Sequence, residues 1–165
     1  MFCSEDLPSI QINTKECSMN DWKKTHLDEP DMWPTDVIVK MEASHDDARG
    51  SIQPLYDLPT KSVVLTSSKK GTVRANHYHL TDWHYCYVTE GQIDYYHRPH
   101  GSEEMPELVT VKTGELFFTP PMVDHAMVFT QDTTFFTFGR NPRDQESYEA
   151  DVRRIEMIDP ATIKV

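Results

Sequence analysis

The chain has 165 residues, of which 38% are hydrophobic and 26% charged, a composition that fits one globular domain with its own core. The formal net charge of −11 argues against a nucleic-acid-binding or anionic-membrane surface, because both need an excess of Lys and Arg. No apolar run approaches the roughly 18 residues of a membrane span, no charged and then apolar leader is present, and the 3 cysteines lack paired spacing. We therefore expect a cytoplasmic chain with reduced cysteines and no membrane or nucleic-acid partner.

The first part of the sequence shows little periodicity. Residues 1–35 contain prolines and many turn formers, so we predict an extended N-terminal arm there. Residues 36–158 are predicted to form one barrel, and residues 159–165 a C-terminal tail. Within the barrel, the turn formers of residues 44–50 predict a turn. The first three strands are expected at 37–42, 51–56 and 61–66.

Short apolar–polar runs then follow one another, separated by turn residues. Seven further strands are predicted, at 73–79, 84–89, 92–97, 107–112, 115–119, 125–130 and 133–138. Many short strands with regular turn signals are typical of an all-β sandwich or barrel. The segment 141–165 fits either a short amphipathic helix or a last strand, and we favour a strand near 152–158.

Four histidines occupy the starts or ends of these strands. His77 and His79 are two residues apart on one predicted strand, so their side chains point to the same face. His84 begins the next strand, and His125 begins a later one. A lone histidine in a strand is usually a partly buried, hydrogen-bonded residue. Four at these spacings favour one divalent metal centre of Fe, Mn, Ni or Zn held by His77, His79, His84 and His125.

The stretch around the first three histidines resembles the first motif of the cupins. That motif reads glycine, five residues, His-x-His, three or four residues, glutamate, six residues and glycine. Gly71, His77, His79 and Gly91 stand at the matching positions, and His84 replaces the glutamate. This replacement removes a negative charge from the metal shell that the resemblance implies.

A second stretch resembles the other cupin motif. Gly114, Pro120 and His125 stand where that motif has glycine, proline and histidine, whereas Met122 and Phe129 replace its second glycine and its asparagine. The two motifs together cover roughly residues 60–140 of the chain. The resemblance implies a cupin double-stranded β-helix, which is a jelly-roll barrel, and a homodimer.

A narrower resemblance concerns the string Arg74-Ala75-Asn76-His77-Tyr78-His79. It is similar to the R-G-x-H-x-H/Q element of the dTDP-sugar 3,5-epimerases and related ketoisomerases, with Ala75 in place of the usual glycine. The resemblance implies that His77 is the base that removes a proton next to a carbonyl, that His79 assists, and that Arg74 contacts a phosphate. Strand tyrosines are first of all good strand formers; among them we take Tyr95 as the candidate catalytic acid.

These observations favour a metal-binding enzyme with isomerase, epimerase or lyase chemistry on a small, polar, carbohydrate-like substrate. Four neutral histidines leave a divalent centre with its full positive charge, which favours anionic or chelating substrates. A mononuclear iron dioxygenase is the second expectation, and a non-catalytic sugar- or metal-binding cupin is the third. In a metal-free epimerase, His77 would instead titrate as the base.

Overall fold

The structure is a computed structural model that describes residues 29–55 and 57–164. Two three-residue 3-10 helices, Pro30–Met32 and Pro160–Thr162, lie near the two ends of the described chain. One α-helix, α1, spans Gln145–Asp151 within these residues. The strands in chain order are β1 (Ile38–Val39), β2 (His45–Asp47), β3 (Gly50–Ile52), β4 (Ser62–Ser68), β5 (Val73–His79), β6 (His84–Glu90), β7 (Gln92–Pro99), β8 (Glu107–Lys112), β9 (Leu116–Thr119), β10 (Val123–Phe129), β11 (Thr133–Gly139) and β12 (Val152–Arg154).

The strands form two five-stranded antiparallel sheets and one hairpin. The first sheet has the order β1-β9-β6-β11-β4, the second has the order β12-β5-β10-β7-β8, and β2 pairs with β3. The chain passes from one sheet to the other at each step from β4 to β7, so these consecutive strands are not neighbours in a sheet. This crossing pattern is that of a jelly roll, and it confirms the predicted all-β barrel.

The predicted strands of the barrel agree with the structure within a few residues, but the prediction is wrong at both of its ends. Residues 44–50 form the hairpin β2–β3 instead of a turn, and the strand predicted at 51–56 is only the short β3. The turn is confined to two residues because the Asp47 side chain accepts a 2.7 Å hydrogen bond from the Arg49 backbone N–H.

Near the C-terminus, helix α1 precedes a strand that ends at Arg154, whereas the sequence predicted a strand near 152–158. Asp144 caps this helix by accepting a 2.9 Å hydrogen bond from the Ser147 backbone N–H. Most of the predicted N-terminal arm, residues 1–28, lies outside the described residues.

The two sheets enclose an apolar core, because alternate residues of each strand face inward. Cys86 on β6, Ile93 on β7, Phe117 on β9 and Phe129 on β10 are fully buried in one cluster. A second cluster on the other side of the first sheet includes Trp83, and the lead-in residue Trp33 packs against it. No helix among the described residues has the length and apolar character needed to cross a bilayer.

Candidate active site

A cavity of about 140 Å³ opens between the two sheets. Strands from both sheets contribute to its wall: β5 and β10 from one, and β4, β6 and β11 from the other. All four predicted metal ligands line this cavity, and they are His77, His79, His84 and His125. The rest of the lining includes Arg74, Thr66, Thr137, Arg143 and Tyr148.

Each of the four imidazoles lies close to at least two of the others. The ring centroid of His77 is 4.7 Å from that of His79 and 4.7 Å from that of His125. The centroid of His84 is 5.2 Å from that of His79 and 5.7 Å from that of His125. One nitrogen of each of His77, His79 and His125 lies within 4.8 Å of the other two. The cavity therefore presents several nitrogen atoms to a common centre.

A β-bulge in β5 positions the residues that precede His77. His125 pairs with His77, but the next residue of β10 pairs with Ala75, so Asn76 is an extra residue. Ala75 and Asn76 have φ values of 65° and 53°, which lie in the left-handed region that favours glycine. As a result the Arg74 side chain reaches the same cavity as the histidines. The left-handed φ also gives a physical reason for the glycine that the epimerase element carries at the position of Ala75.

The bulge also connects the cavity wall to the end of the chain. The Asn76 side chain donates a 2.8 Å hydrogen bond to the Ile158 carbonyl and accepts a 3.0 Å bond from the Ile158 N–H. The Ile155 N–H donates to the Asn76 backbone carbonyl at 2.8 Å. The C-terminal segment is thus fixed against the strand that carries two of the histidines.

Burial keeps the imidazoles uncharged. Burial, followed by the nearby His125 and His79, lowers the pKa of His77 to about 2. Burial also lowers the pKa of His125 to about 3, and it holds the pKa of His84 well below its usual range. The pKa of His79 is lowered by burial as well, although the nearby Asp151 opposes that shift. Neutral imidazoles are the form that binds a metal or accepts a proton.

Hydrogen bonds orient two of these rings. His79 Nδ1 lies 2.9 Å from Asp151 Oδ2, and His125 Nδ1 lies 3.0 Å from the Val123 carbonyl oxygen. Both partners are acceptors, so each Nδ1 carries the proton and each Nε2 has a free lone pair. Nε2 of His79, Nε2 of His125 and Nδ1 of His84 are buried without a hydrogen-bond partner among the described residues. Such unpaired buried nitrogens, with oriented partners behind two of them, fit the donor set of a divalent metal ion.

Two buried carboxylates lie behind the histidines. Asp151 also accepts hydrogen bonds from the Thr81 N–H at 2.8 Å and the Thr81 hydroxyl at 2.6 Å. Asp82 accepts from the Asn141 N–H at 2.9 Å, and burial raises its pKa to about 6. One oxygen of Asp82 lies within 4.8 Å of nitrogens of His79 and His84. The cupin motif has a negatively charged glutamate where this chain has His84, and Asp82 thus provides a carboxylate close to that position.

The structure does not bring Tyr95 to the cavity with the other predicted residues. Tyr95 is 1% exposed, packs in the apolar core and shares a 2.9 Å hydrogen bond between its hydroxyl and that of Thr119. Burial raises its pKa. Its ring lies within the core instead of lining the cavity with the histidines.

Three residues of the C-terminal segment complete the site, and sequence reasoning missed them. Tyr148 on α1 lines the cavity, with its ring centroid 6.3 Å from that of His77 and 6.0 Å from that of His79. The Arg143 guanidinium lies 4.1 Å from the centre of the Tyr148 ring, and Asp151 ends the same helix. The available signal was the possible amphipathic helix in 141–165, one turn of which places Tyr148 and Asp151 on the same side.

No protein-family model and no curated protein matches the chain. Several solved structures do resemble it. A variant of the QdtA 3,4-ketoisomerase from Thermoanaerobacterium thermosaccharolyticum, in complex with TDP, has a TM-score of 0.58 and 18% identity, covering 71% of this chain and 85% of its own. The dTDP-4-dehydrorhamnose 3,5-epimerase from Sulfolobus tokodaii has a TM-score of 0.57 and 17% identity, with coverage of 72% and 77%.

The Mycobacterium tuberculosis rmlC epimerase has a TM-score of 0.58 and 17% identity, covering 73% of this chain and 68% of its own. These similarities show that the chain has the fold of the RmlC-like cupins, as its motifs predicted. Because every identity is below one fifth, the chemistry has to be argued from the residues of the cavity.

Proposed function

We propose that the protein is an isomerase or epimerase that moves a proton next to the carbonyl of a small sugar-like substrate, in a cavity whose histidines hold a divalent metal ion. The observation that carries the proposal is a set of buried imidazole nitrogens without a hydrogen-bond partner among the described residues; they belong to His79, His84 and His125, which all line the cavity. Leaving such groups unpaired costs free energy, typically about 1–3 kcal/mol each. A ligand that all of them bind would remove this cost.

The chain's own residues suggest how the ion would be held. His79 and His125 offer Nε2 because their Nδ1 atoms are bonded to Asp151 and Val123. Nitrogens of His77, His79 and His125 lie within 4.8 Å of one another, and a nitrogen of His84 lies within 4.8 Å of one of His79, so His77 and His84 would be the further ligands. A bound divalent ion supplies Lewis acidity toward a carbonyl oxygen. Because His84 stands where cupins have a glutamate, all four side chains that would bind the ion are neutral. Asp151 does not bind the ion but fixes the orientation of the His79 ring through its Nδ1.

Tyr148 is the residue best placed to exchange the proton. It faces the histidines across the cavity, and its phenol is the most acidic of the hydroxyl groups among the described lining residues. After the Tyr148 hydroxyl has given its proton to solvent, the phenolate oxygen would take the proton from the carbon beside the carbonyl, leaving an enolate. The phenol formed in this way would return that proton to a different carbon or face. Arg143, stacked on the Tyr148 ring, would stabilise the negative charge that develops.

The fold neighbours favour this class of chemistry. The QdtA enzyme is described as a 3,4-ketoisomerase and the Sulfolobus protein as a 3,5-epimerase, so both rearrange sugars. The local string from Arg74 to His79 is similar to the element those families carry around their base. From these enzymes we take the reaction class and the sugar-like character of the substrate. We do not take a particular substrate from them.

A second candidate is the same proton transfer without a metal, and the pair formed by His79 and Asp151 favours it. A carboxylate bonded to Nδ1 fixes the tautomer and stabilises the imidazolium that forms when Nε2 takes a proton. In this version His79, and not His77, is the base, because among the described residues the carboxylate contacts His79. The iron dioxygenase and the binding-only alternatives stay predictions.

Solvent deuterium exchange tests the proposal. The protein is incubated in D₂O with a panel of keto sugars and keto acids, before and after chelation and with Fe, Mn, Ni or Zn restored, and deuterium incorporation is measured by mass spectrometry. Exchange that requires metal and is lost in His84→Ala and Tyr148→Phe is expected. Exchange that survives chelation but is lost in Asp151→Asn would favour the metal-free candidate. If the metal-loaded protein exchanges no proton of any member, the proposed function is wrong.

A further inference from the structure

The electrostatic character of the cavity lining differs from that of the chain as a whole. The chain carries a net charge of −11, yet no Asp or Glu side chain is among the described residues that line the cavity. Two arginines, Arg74 and Arg143, line it. With the histidines counted as neutral, these two arginines give the lining a formal charge of +2.

These two arginines have no carboxylate partner within the described part of the chain. Four other basic side chains among the described residues do have one. The pairs are Arg49 with Asp47, Lys69 with Asp132, Arg98 with Asp124, and Arg154 with Glu149. In an acidic protein, two unpaired guanidinium groups on one cavity leave their charge available to a ligand.

Neutral contacts hold both guanidinium groups at the cavity. Arg74 Nε donates a 2.6 Å hydrogen bond to the Ser68 hydroxyl, and its terminal nitrogen donates a 3.1 Å bond to the Ser67 carbonyl. Arg143 lies over the Tyr148 ring at 4.1 Å. Arg74 therefore keeps donors free in a fixed position, which lowers the entropy cost of binding an anion in a bidentate manner.

The size of the cavity limits where the anionic group can be. A cavity of about 140 Å³ is smaller than the roughly 300–1,000 Å³ of typical ligand pockets. Arg74, Arg143 and the histidines line this one small space. A bound molecule that reaches the histidines thus has its anionic group within a few bonds of the reacting carbonyl.

We propose that the substrate of this site is a small organic anion, such as a sugar acid or a sugar phosphate, whose carboxylate or phosphate binds Arg74 and Arg143 while its carbonyl or hydroxyl oxygens face the histidines. The inference rests on the proposed function for the reaction, but the binding step stands on the two arginines alone. The shared chemistry is a compact group of negatively charged oxygens. A neutral sugar of the same size lacks it.

Calorimetric titration tests the proposal with glucuronate, glucose 6-phosphate and glucose as probes of a carboxylate, a phosphate and a neutral sugar. At least one anion is expected to bind about tenfold or more tightly than glucose, and Arg143→Met or Arg74→Met should lower that affinity by about tenfold. Arg74→Lys keeps the charge and should lose less. Because both arginines are exposed at the cavity mouth, raising NaCl from about 50 to about 500 mM should weaken binding.

Arg49→Met is the matched control, since it removes an exposed arginine that is paired with Asp47 outside the cavity. Its affinity for both anions should equal that of the unmodified protein. The proposal is overturned if glucose binds as well as the anions, if neither anion binds, or if the cavity variants bind like Arg49→Met. Arginine-dependent binding without deuterium exchange would contradict the proposed reaction while leaving the anion site standing.

Discussion

Replacing one buried histidine should change how the stability of the metal-free protein depends on pH. His125 is 1% exposed, and burial lowers its pKa to about 3 from the 6.5 of an exposed imidazole. Between these two values the unfolded chain binds a proton at this residue and the folded chain does not. The stability that the neutral ring contributes is therefore complete above pH 6.5 and is lost as the pH falls toward 3.

The size of this loss of stability depends on how far the pH lies below the pKa of the histidine in the unfolded chain. At about pH 5, protonation of the unfolded histidine favours unfolding by roughly 1.4 kcal/mol per pH unit over about 1.5 units, or about 2 kcal/mol. A glutamine side chain does not bind a proton in this pH range. We expect the loss of unfolding free energy between about pH 8 and about pH 5 to be about 2 kcal/mol smaller in His125→Gln than in the unmodified chain.

Urea unfolding followed by tryptophan fluorescence measures this difference, with a chelator present so that bound metal does not stabilise the folded state. His45→Gln is the control, because His45 is exposed on the β2–β3 hairpin and lies away from the cavity. If His125→Gln and the unmodified protein lose the same free energy over this pH range, then His125 is not held neutral by burial and the reasoning fails.

Three further changes test the site and its supports. Ala75→Gly should stabilise the protein by roughly 0.5 kcal/mol, because relief of the left-handed φ of 65° exceeds the added freedom of the unfolded chain; a lower urea midpoint would contradict the strained bulge. Asp151→Asn should lower affinity for Zn about 10–100-fold in a competition titration, since Asp151 orients His79; unchanged affinity would argue that this pair does not support a metal. Asp82→Asn should stabilise the metal-free protein above pH 6 by up to about 3 kcal/mol. Burial raises the pKa of Asp82 from 3.8 in the unfolded chain to about 6 in the folded protein, so ionisation of Asp82 as the pH rises between these values favours the unfolded chain. The gain should vanish near pH 3.8, and a pH-independent effect would refute this explanation.

That the four histidines share one cavity could be predicted from the sequence, because strand parity and motif spacing are local properties. His77 and His79 lie on one face of β5, and His84 and His125 reach the same cavity from other strands. Parity gives the face of a strand but not the depth along the barrel. This is why the sequence could not show that Tyr95 packs in the core.

Two features of the site could not be deduced from periodicity. The bulge at Ala75 and Asn76 lacks the glycine that usually signals a left-handed residue, so nothing in the sequence indicated the bulge. Helix α1 is seven residues long, too short for a strong periodic pattern, and its capping by Asp144 is a weak signal. Tertiary contacts of the segment after β11 bring Tyr148 to the cavity.

Metal content tests the central claim most directly. The untagged protein, as purified and after reconstitution, is analysed by inductively coupled plasma mass spectrometry beside His84→Ala and the exposed-site control His45→Ala. We predict close to one Fe, Mn, Ni or Zn ion per chain, a clear reduction in His84→Ala and no change in His45→Ala. An absence of metal even after reconstitution would contradict the four-histidine centre and would leave the metal-free proton transfer by His79 and Asp151.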